Sequence, residues 1–163
     1  MRINLRATLD GARVSLQIDI GFGDAVTPAP QPIGYPTLLP DVPAPTLRAH
    51  PKATAVAEKL HAVTVLGMTN TRMKDFFDLA LLLRDATLDD AELQRAVEAT
   101  FARRQTAGPS ATPIGLSDAF ADDATKQMQW RAFLKKNKLE LTELRDVVTA
   151  IRERAMRFGF TGA

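Results

Sequence analysis

EKLHAVTVLGMTNTRMKDFFDLALLL, from Glu58 to Leu83, reads as two helices joined by a short turn. The first spans about residues 53–66, and Gly67 suits its stop. Thr69, Asn70 and Thr71 offer caps for a second helix that starts near Arg72. At about 100° per residue, Val56, Leu60, Val63 and Leu66 share one stripe of the first helix. Lys59 falls inside that stripe. On the second helix the stripe is Phe76, Leu79, Ala80, Leu82 and Leu83, and Asp75 falls inside it. Arg72 lies one turn before Asp75 on the same side. Two neighbouring helices thus each carry a charge where a core residue is expected. An unpaired buried charge is costly, so such charges are paired or functional. Two structural pairs are open: Lys59 with Asp75 across the helices, or Asp75 with Arg72 along one helix. Lys59 also has the reach to lay its stem on the core and turn its ammonium outward. Lys74 and Asp78 are expected on the outer, solvated face.

The stretch before these helices is of two kinds. In RINLRATL, Ile3, Leu5, Ala7 and Leu9 alternate with polar residues, and in ARVSLQIDI, Val14, Leu16, Ile18 and Ile20 do the same. Asp10-Gly11 between them is a two-residue hairpin turn. A lone hairpin is marginal, so helices must cover it or more strands must join it. GFGD, residues 21–24, closes the second strand; its glycines suit a simple turn or a close backbone approach to a ligand. Asp19 projects from the polar face near the strand end. It is either an exposed strand residue or a carboxylate offered to a metal or phosphate site. Residues 25–51 then hold eight of the ten prolines, which excludes a repeating helix or a central strand. Ile33, Tyr35, Leu38, Leu39, Val42 and Leu47 among them suggest an ordered connector that packs down.

After Arg84 the pattern is helical. Asp89 and Glu92 resemble a capping pair for a helix through Arg104, with Leu93, Val97 and Phe101 inward. Arg103 and Arg104 suit the end of that helix or a phosphate contact. Residues 105–115 form a Gly/Pro loop. Ser117 caps a helix reaching about Lys136, where Lys135, Lys136 and Lys138 make a small basic cluster. A last helix runs over about residues 142–158. The fold expected is α+β: an N-terminal β-hairpin (residues 1–24), a Pro-rich connector (25–51), and a helical part (52–163) of about five helices, on which the hairpin packs.

Composition narrows function. The chain has 163 residues, 45% hydrophobic and 25% charged, in the ordinary range for a soluble domain. No apolar run is long enough to span a membrane and no signal peptide is present, so a cytoplasmic location is expected. Cysteine is absent, which removes disulfides and thiolate metal sites. Net charge is +2, too small for a general nucleic-acid footprint, though a local basic patch is compatible with it. His50 and His61 are too few for a histidine-rich metal site. There is no GxGxxG, no P-loop and no zinc signature.

Three segments in order, LQIDIGFGD, VAEKLHAV and NTRMKDFFDLALL, with YPTLLPDVPAPTLRAHP between the first two, resemble the nucleotidyltransferase AbiEii/AbiGii toxin family. TFARRQT and QWRAFLKK are similar to its C-terminal part. The resemblance implies a polymerase-β-like nucleotidyltransferase core with a helical C-terminal part. It implies a toxin of a toxin–antitoxin or phage-defence pair that transfers nucleotides to RNA, notably tRNA ends. It also implies Mg2+ and a nucleoside triphosphate as cofactors, and an antitoxin protein as partner. By this resemblance Asp19 matches a metal-site carboxylate and Lys59 a lysine contacting nucleotide phosphates. Asp75 matches the family's late aspartate, expected to serve catalysis with Lys59. Arg72 and Lys74 beside it join Lys59 as nucleotide-binding residues. Phosphoryl transfer needs such charges, carboxylates for Mg2+ and a cation for the triphosphate.

One departure bears on activity. The family's first motif, a Gly-Ser turn followed by Asp-x-Asp, is not found in the 18 residues before Asp19. The chain is therefore expected to lack the family's N-terminal portion and its two-metal site. Two function classes follow: a nucleotidyltransferase toxin, or an inactive module that binds nucleotide, RNA or a protein partner.

Overall fold

The computed structural model describes residues 1–160. In chain order these form β1 (Arg2–Leu9), β2 (Ala12–Asp19), β3 (Gln31–Gly34) and β4 (Thr46–Ala49). Six helices follow: α1 (Lys52–Leu66), α2 (Met73–Leu83), α3 (Asp90–Arg103), α4 (Asp118–Asp122), α5 (Ala124–Asn137) and α6 (Leu144–Arg157). The α+β class and the N-terminal strand pair are as expected. β1 and β2 pair antiparallel from Arg2↔Asp19 to Leu9↔Ala12. Asp10 and Gly11 both take positive φ, 47° and 79°, the backbone that a two-residue turn between right-twisted strands requires.

The helices follow from their apolar stripes. Val56, Leu60 and Val63 on α1, and Phe76, Leu79, Ala80 and Leu83 on α2, are buried in one core that runs from Ala53 to Phe160. Gly67 ends α1 with φ 47°, and its N–H donates to the Val63 carbonyl. Asp89 caps α3 by accepting from the Glu92 N–H at 2.9 Å, as the spacing predicts. Trp130 on α5 is 1% exposed, and its Nε1–H donates to the Thr142 carbonyl at 2.7 Å, which satisfies the one polar atom of a core side chain.

Three expectations change. First, the helix capped by Ser117 stops at Asp122. Asp123 is extended, accepts from the Lys126 N–H at 2.9 Å and starts α5, so one expected helix is two. Second, the Pro-rich stretch carries a short ladder, β3 with β4, in the register Ile33↔Leu47. Tyr35 N–H donates to the Pro45 carbonyl, so by alternation Pro32 falls at a non-hydrogen-bonded position. A two-stranded ladder consists of edges only, which is where proline is tolerated.

Third, helices do not bury the apolar face of the β1–β2 hairpin. Leu5, Val14, Leu16 and Ile18 are 41–47% exposed and Leu9 is 74% exposed. The physical reason is that the helices bury their stripes on one another. Among the described residues no core residue precedes Ala53. Among the described residues the hairpin joins the helices through the segment that leaves it. Arg103 Nε donates to the Gly23 carbonyl, Arg104 lies 3.9 Å from Asp24, and Thr27 N–H donates to Thr54 Oγ1 at 3.0 Å.

Candidate functional site

The turn at Gly67–Thr69 folds α2 back beside α1, so the two odd charges of the helix pair face each other. Lys59 Nζ donates to Asp75 Oδ1 at 2.8 Å and also lies 2.9 Å from Asp78 Oδ2. Lys74 Nζ, one turn before Asp78 on α2, reaches the same Asp78 oxygen at 2.6 Å. The side chains of Lys59, Asp75 and Asp78 are 21%, 15% and 20% exposed, whereas Lys74 is 73% exposed. Burial pulls the Lys59 pKa down, but hydrogen bonds and charge from Asp75 and Asp78 outweigh it, and the ammonium is held above its ordinary value. Burial likewise pushes Asp78 up, and Lys59 and Lys74 outweigh it, so its carboxyl lies below the usual range.

The structure thus brings Lys59 and Asp75 together. It selects the pair across the helices over the Asp75–Arg72 pair. Asp78, expected on the outer face, is a second partner of Lys59. Its position, three residues after Asp75, was the available signal, because i and i+3 share a helix face. Arg72 is exposed at the start of α2 and, among the described residues, has no ion-pair partner. Its N–H donates to Asn70 Oδ1 at 2.8 Å.

Asp19 is engaged elsewhere. Arg2 grips its carboxylate at 2.6 and 3.1 Å, and Gln17 Nε2 donates to it at 2.9 Å. Arg2 first, then Gln17, hold its carboxyl below the ordinary value. Among the described residues its carboxylate is in contact with neither Lys59 nor Asp75. The register places Arg2 directly opposite Asp19, and this cross-strand pair answers the charge locally.

The glycines of GFGD do permit a close approach, but to this chain's own Arg103: a Cβ at Gly23 would run into its guanidinium. Arg104 completes a small network behind this contact. Its Nη1 lies 3.3 Å from His61 Nδ1, and His61 Nε2 lies 2.9 Å from Thr106 Oγ1. Arginine is donor-only, so Nδ1 accepts and the proton sits on Nε2. Burial first, then the Arg104 charge, hold the His61 pKa below its ordinary value. The unfolded chain therefore binds this proton more readily than the folded one. Stability is full above about pH 6.5 and falls as pH drops through the lowered folded value. Melting temperatures between about pH 7 and pH 5 are expected to fall more steeply for the wild type than for His61→Gln. Parallel curves would exclude His61 as the cause.

A groove of about 590 Å³ opens beside Asp75 between the start of α2 and α5, with Arg72, Lys74 and Lys136 on its walls. Among the described residues no three His, Cys, Asp or Glu side chains come together as a metal site. Among them, too, no helix is long and apolar enough to cross a membrane. Compared with known families, residues 1–153 match the model described as AbiEii, nucleotidyl transferase AbiEii toxin of a type IV toxin–antitoxin system. No curated protein and no solved structure matches the chain.

Proposed function

The chain belongs to the AbiEii nucleotidyl transferase toxin family of type IV toxin–antitoxin systems, and from this premise we propose that it binds a nucleoside triphosphate for transfer to RNA, a tRNA end being the acceptor class. The family implies an antitoxin partner, and the reading places both partners in the cytoplasm. The observation that carries the proposal is Lys59, an ammonium fixed at 2.8 and 2.9 Å between two carboxylates. An ammonium has three N–H donors, and two are directed at Asp75 and Asp78, which leaves the third for a phosphate oxygen. Asp75 and Asp78 are then positioning residues. Lys74 supports the site by sharing the charge of Asp78 when Lys59 turns toward phosphate. Arg72, at the same end of α2 and free of ion pairs among the described residues, is placed to take further phosphate charge.

The Mg2+ that the family uses does not fit residues 1–160. Asp19 is held by Arg2 and Gln17, and no three carboxylate, histidine or cysteine side chains gather among the described residues. Mg2+ takes one or two carboxylates together with substrate phosphates, and here Asp19 is engaged by Arg2 and Gln17, and Asp75 and Asp78 by Lys59. Transfer therefore needs carboxylates that these residues do not bring together, and the 163-residue chain by itself is expected to bind triphosphate weakly and to transfer nothing above background.

The test uses labelled nucleoside triphosphates, Mg2+ and a tRNA pool, with Lys59→Ala in parallel. Binding by equilibrium dialysis is expected for the wild type and lost in Lys59→Ala. Transfer is expected only when a segment bearing the family's Gly-Ser and Asp-x-Asp motif is supplied, and again only with Lys59 present. Triphosphate binding that is indifferent to Lys59→Ala would overturn the assignment of Lys59.

A further inference from the structure

The groove between α2 and α5 joins residues far apart in sequence. On α5, Gln129, Phe133 and Lys136 are spaced i, i+4 and i+7, so they lie on one face of the helix. Opposite them stand Arg72 and Lys74 from the start of α2. Asp75 is the lone carboxylate on the wall, and Lys59 already answers its charge at 2.8 Å. Among the described residues neither Arg72 nor Lys136 has an ion-pair partner. The wall is therefore cationic on both sides, and its volume of about 590 Å³ is within the range of ligand sites.

A second observation lies beneath it. Lys126, one turn before Gln129 on α5, is 5% exposed. Its Nζ donates to the Asn70 carbonyl at 2.9 Å and lies 3.4 Å from Gln129 Oε1. Both are neutral oxygens, and among the described residues no carboxylate pairs with this buried ammonium. Burying a charge without a counter-charge is costly. An anion in the groove pairs Arg72 and Lys136 on its walls, and Lys126 is connected to it only through Gln129. Gln129, whose Oε1 lies 3.4 Å from Lys126 Nζ, links the buried ammonium to the α5 wall.

We propose that this groove binds the phosphodiester backbone of the single-stranded RNA acceptor, next to the triphosphate at Lys59. The proposal rests on the nucleotide-transfer reading for its partner and adds to it the place where that partner binds. Cations on two walls suit successive phosphates better than one compact anion. Phe133, half-buried and stacked against Trp130 with ring centroids 5.7 Å apart, offers an aromatic surface for a base. The Gln129 amide adds a polar contact that a free phosphate would not require. Asp75 belongs to both sites: it pairs with Lys59 and lines the groove, which brings the strand next to the nucleotide.

The test is fluorescence anisotropy of a short labelled oligouridylate with the full chain across a salt series. Wild-type binding is expected to weaken with salt. Lys136→Glu is expected to weaken binding about tenfold and to flatten the plot of log affinity against log salt by about one to two. Lys135→Glu, the same charge change on the same helix but outside the groove lining, is expected to cost clearly less affinity than Lys136→Glu, because it removes no groove contact. Circular dichroism melts confirm that both variants fold. Lys136→Glu is expected to keep triphosphate binding while weakening RNA binding, so failure of the nucleotide reading is distinguishable from failure of this one. Equal losses in Lys136→Glu and Lys135→Glu, or no binding by the wild type, would overturn the proposal. So would complete competition between triphosphate and the oligouridylate, which would make the groove the nucleotide's own site.

Discussion

Replacing Phe76 with alanine is expected to cost about 4 kcal/mol of folding stability. Phe76 is 0% exposed and stacks on Phe120 with ring centroids 5.0 Å apart and planes 21° apart. It sits on α2, which packs against α1, α5 and α6, so no single neighbour can shift to fill the space. Domains of this size hold about 5–15 kcal/mol in total, so the variant is left marginal. Because Phe76 follows Asp75 directly in α2, a loosened helix also releases the carboxylates from Lys59. Urea unfolding of the wild type, Phe76→Leu and Phe76→Ala reads this out. Phe76→Leu retains most of the volume and is expected to lose about 1.5 kcal/mol or less. A Phe76→Ala loss under about 1 kcal/mol would mean that the core there collapses freely, against the close packing assumed.

The second large effect is expected from Lys59→Met. It removes the ammonium shared by Asp75 and Asp78 and leaves Asp75 without a cation, and Asp78 with Lys74 alone, in a site about one-fifth exposed. Breaking a fully buried pair costs about 3–5 kcal/mol; solvent screening reduces the expectation here to about 2 kcal/mol at pH 7. The sign with pH follows from the shifts. Asp78 has a lowered folded pKa, so its stabilisation is present above its unfolded value of 3.8 and lost as pH falls through the folded value. Lys59 has a raised folded pKa, so its stabilisation is present below its unfolded value of 10.5 and lost as pH rises through the folded value. The gap between wild type and Lys59→Met is therefore expected to be widest between those limits and to narrow below about pH 4. Adding Asp75→Asn and Asp78→Asn to Lys59→Met is expected to restore most of the loss, because no carboxylate is then unpaired. A gap that stays constant down to pH 3 would assign the loss to packing of the lysine stem, with no charge involved.

Much of the architecture was legible along the chain. The alternation in residues 2–20 and the Asp10-Gly11 turn specified the hairpin and its register, because strand period and turn chemistry are local. The stripes of α1 and α2 were legible for the same reason, and so was the anomaly of a charge at Lys59 and at Asp75. The restart at Asp123 was missed because an acidic cap inside a helical pattern does not interrupt the apolar period. The expected cover of the hairpin face by helices was not met, since alternation says which residues share a face and not what covers them.

What the sequence by itself determined is the set of local facts: element type, the face on which each side chain lies, and the motifs that carry the family. Backbone periodicity and turn chemistry act over a few residues, so these can be read without the fold. What only the tertiary structure decided is partnership. Lys59 has Asp78 as well as Asp75 because the turn after α1 packs α2 beside it. Asp19 pairs with Arg2 because strand register sets them opposite. Lys136 faces Arg72, and Lys126 is buried under Asn70, because packing of α5 on α2 joins segments that the chain keeps far apart. Charges act through space, and their worth depends on distance and burial, which are properties of the packed molecule.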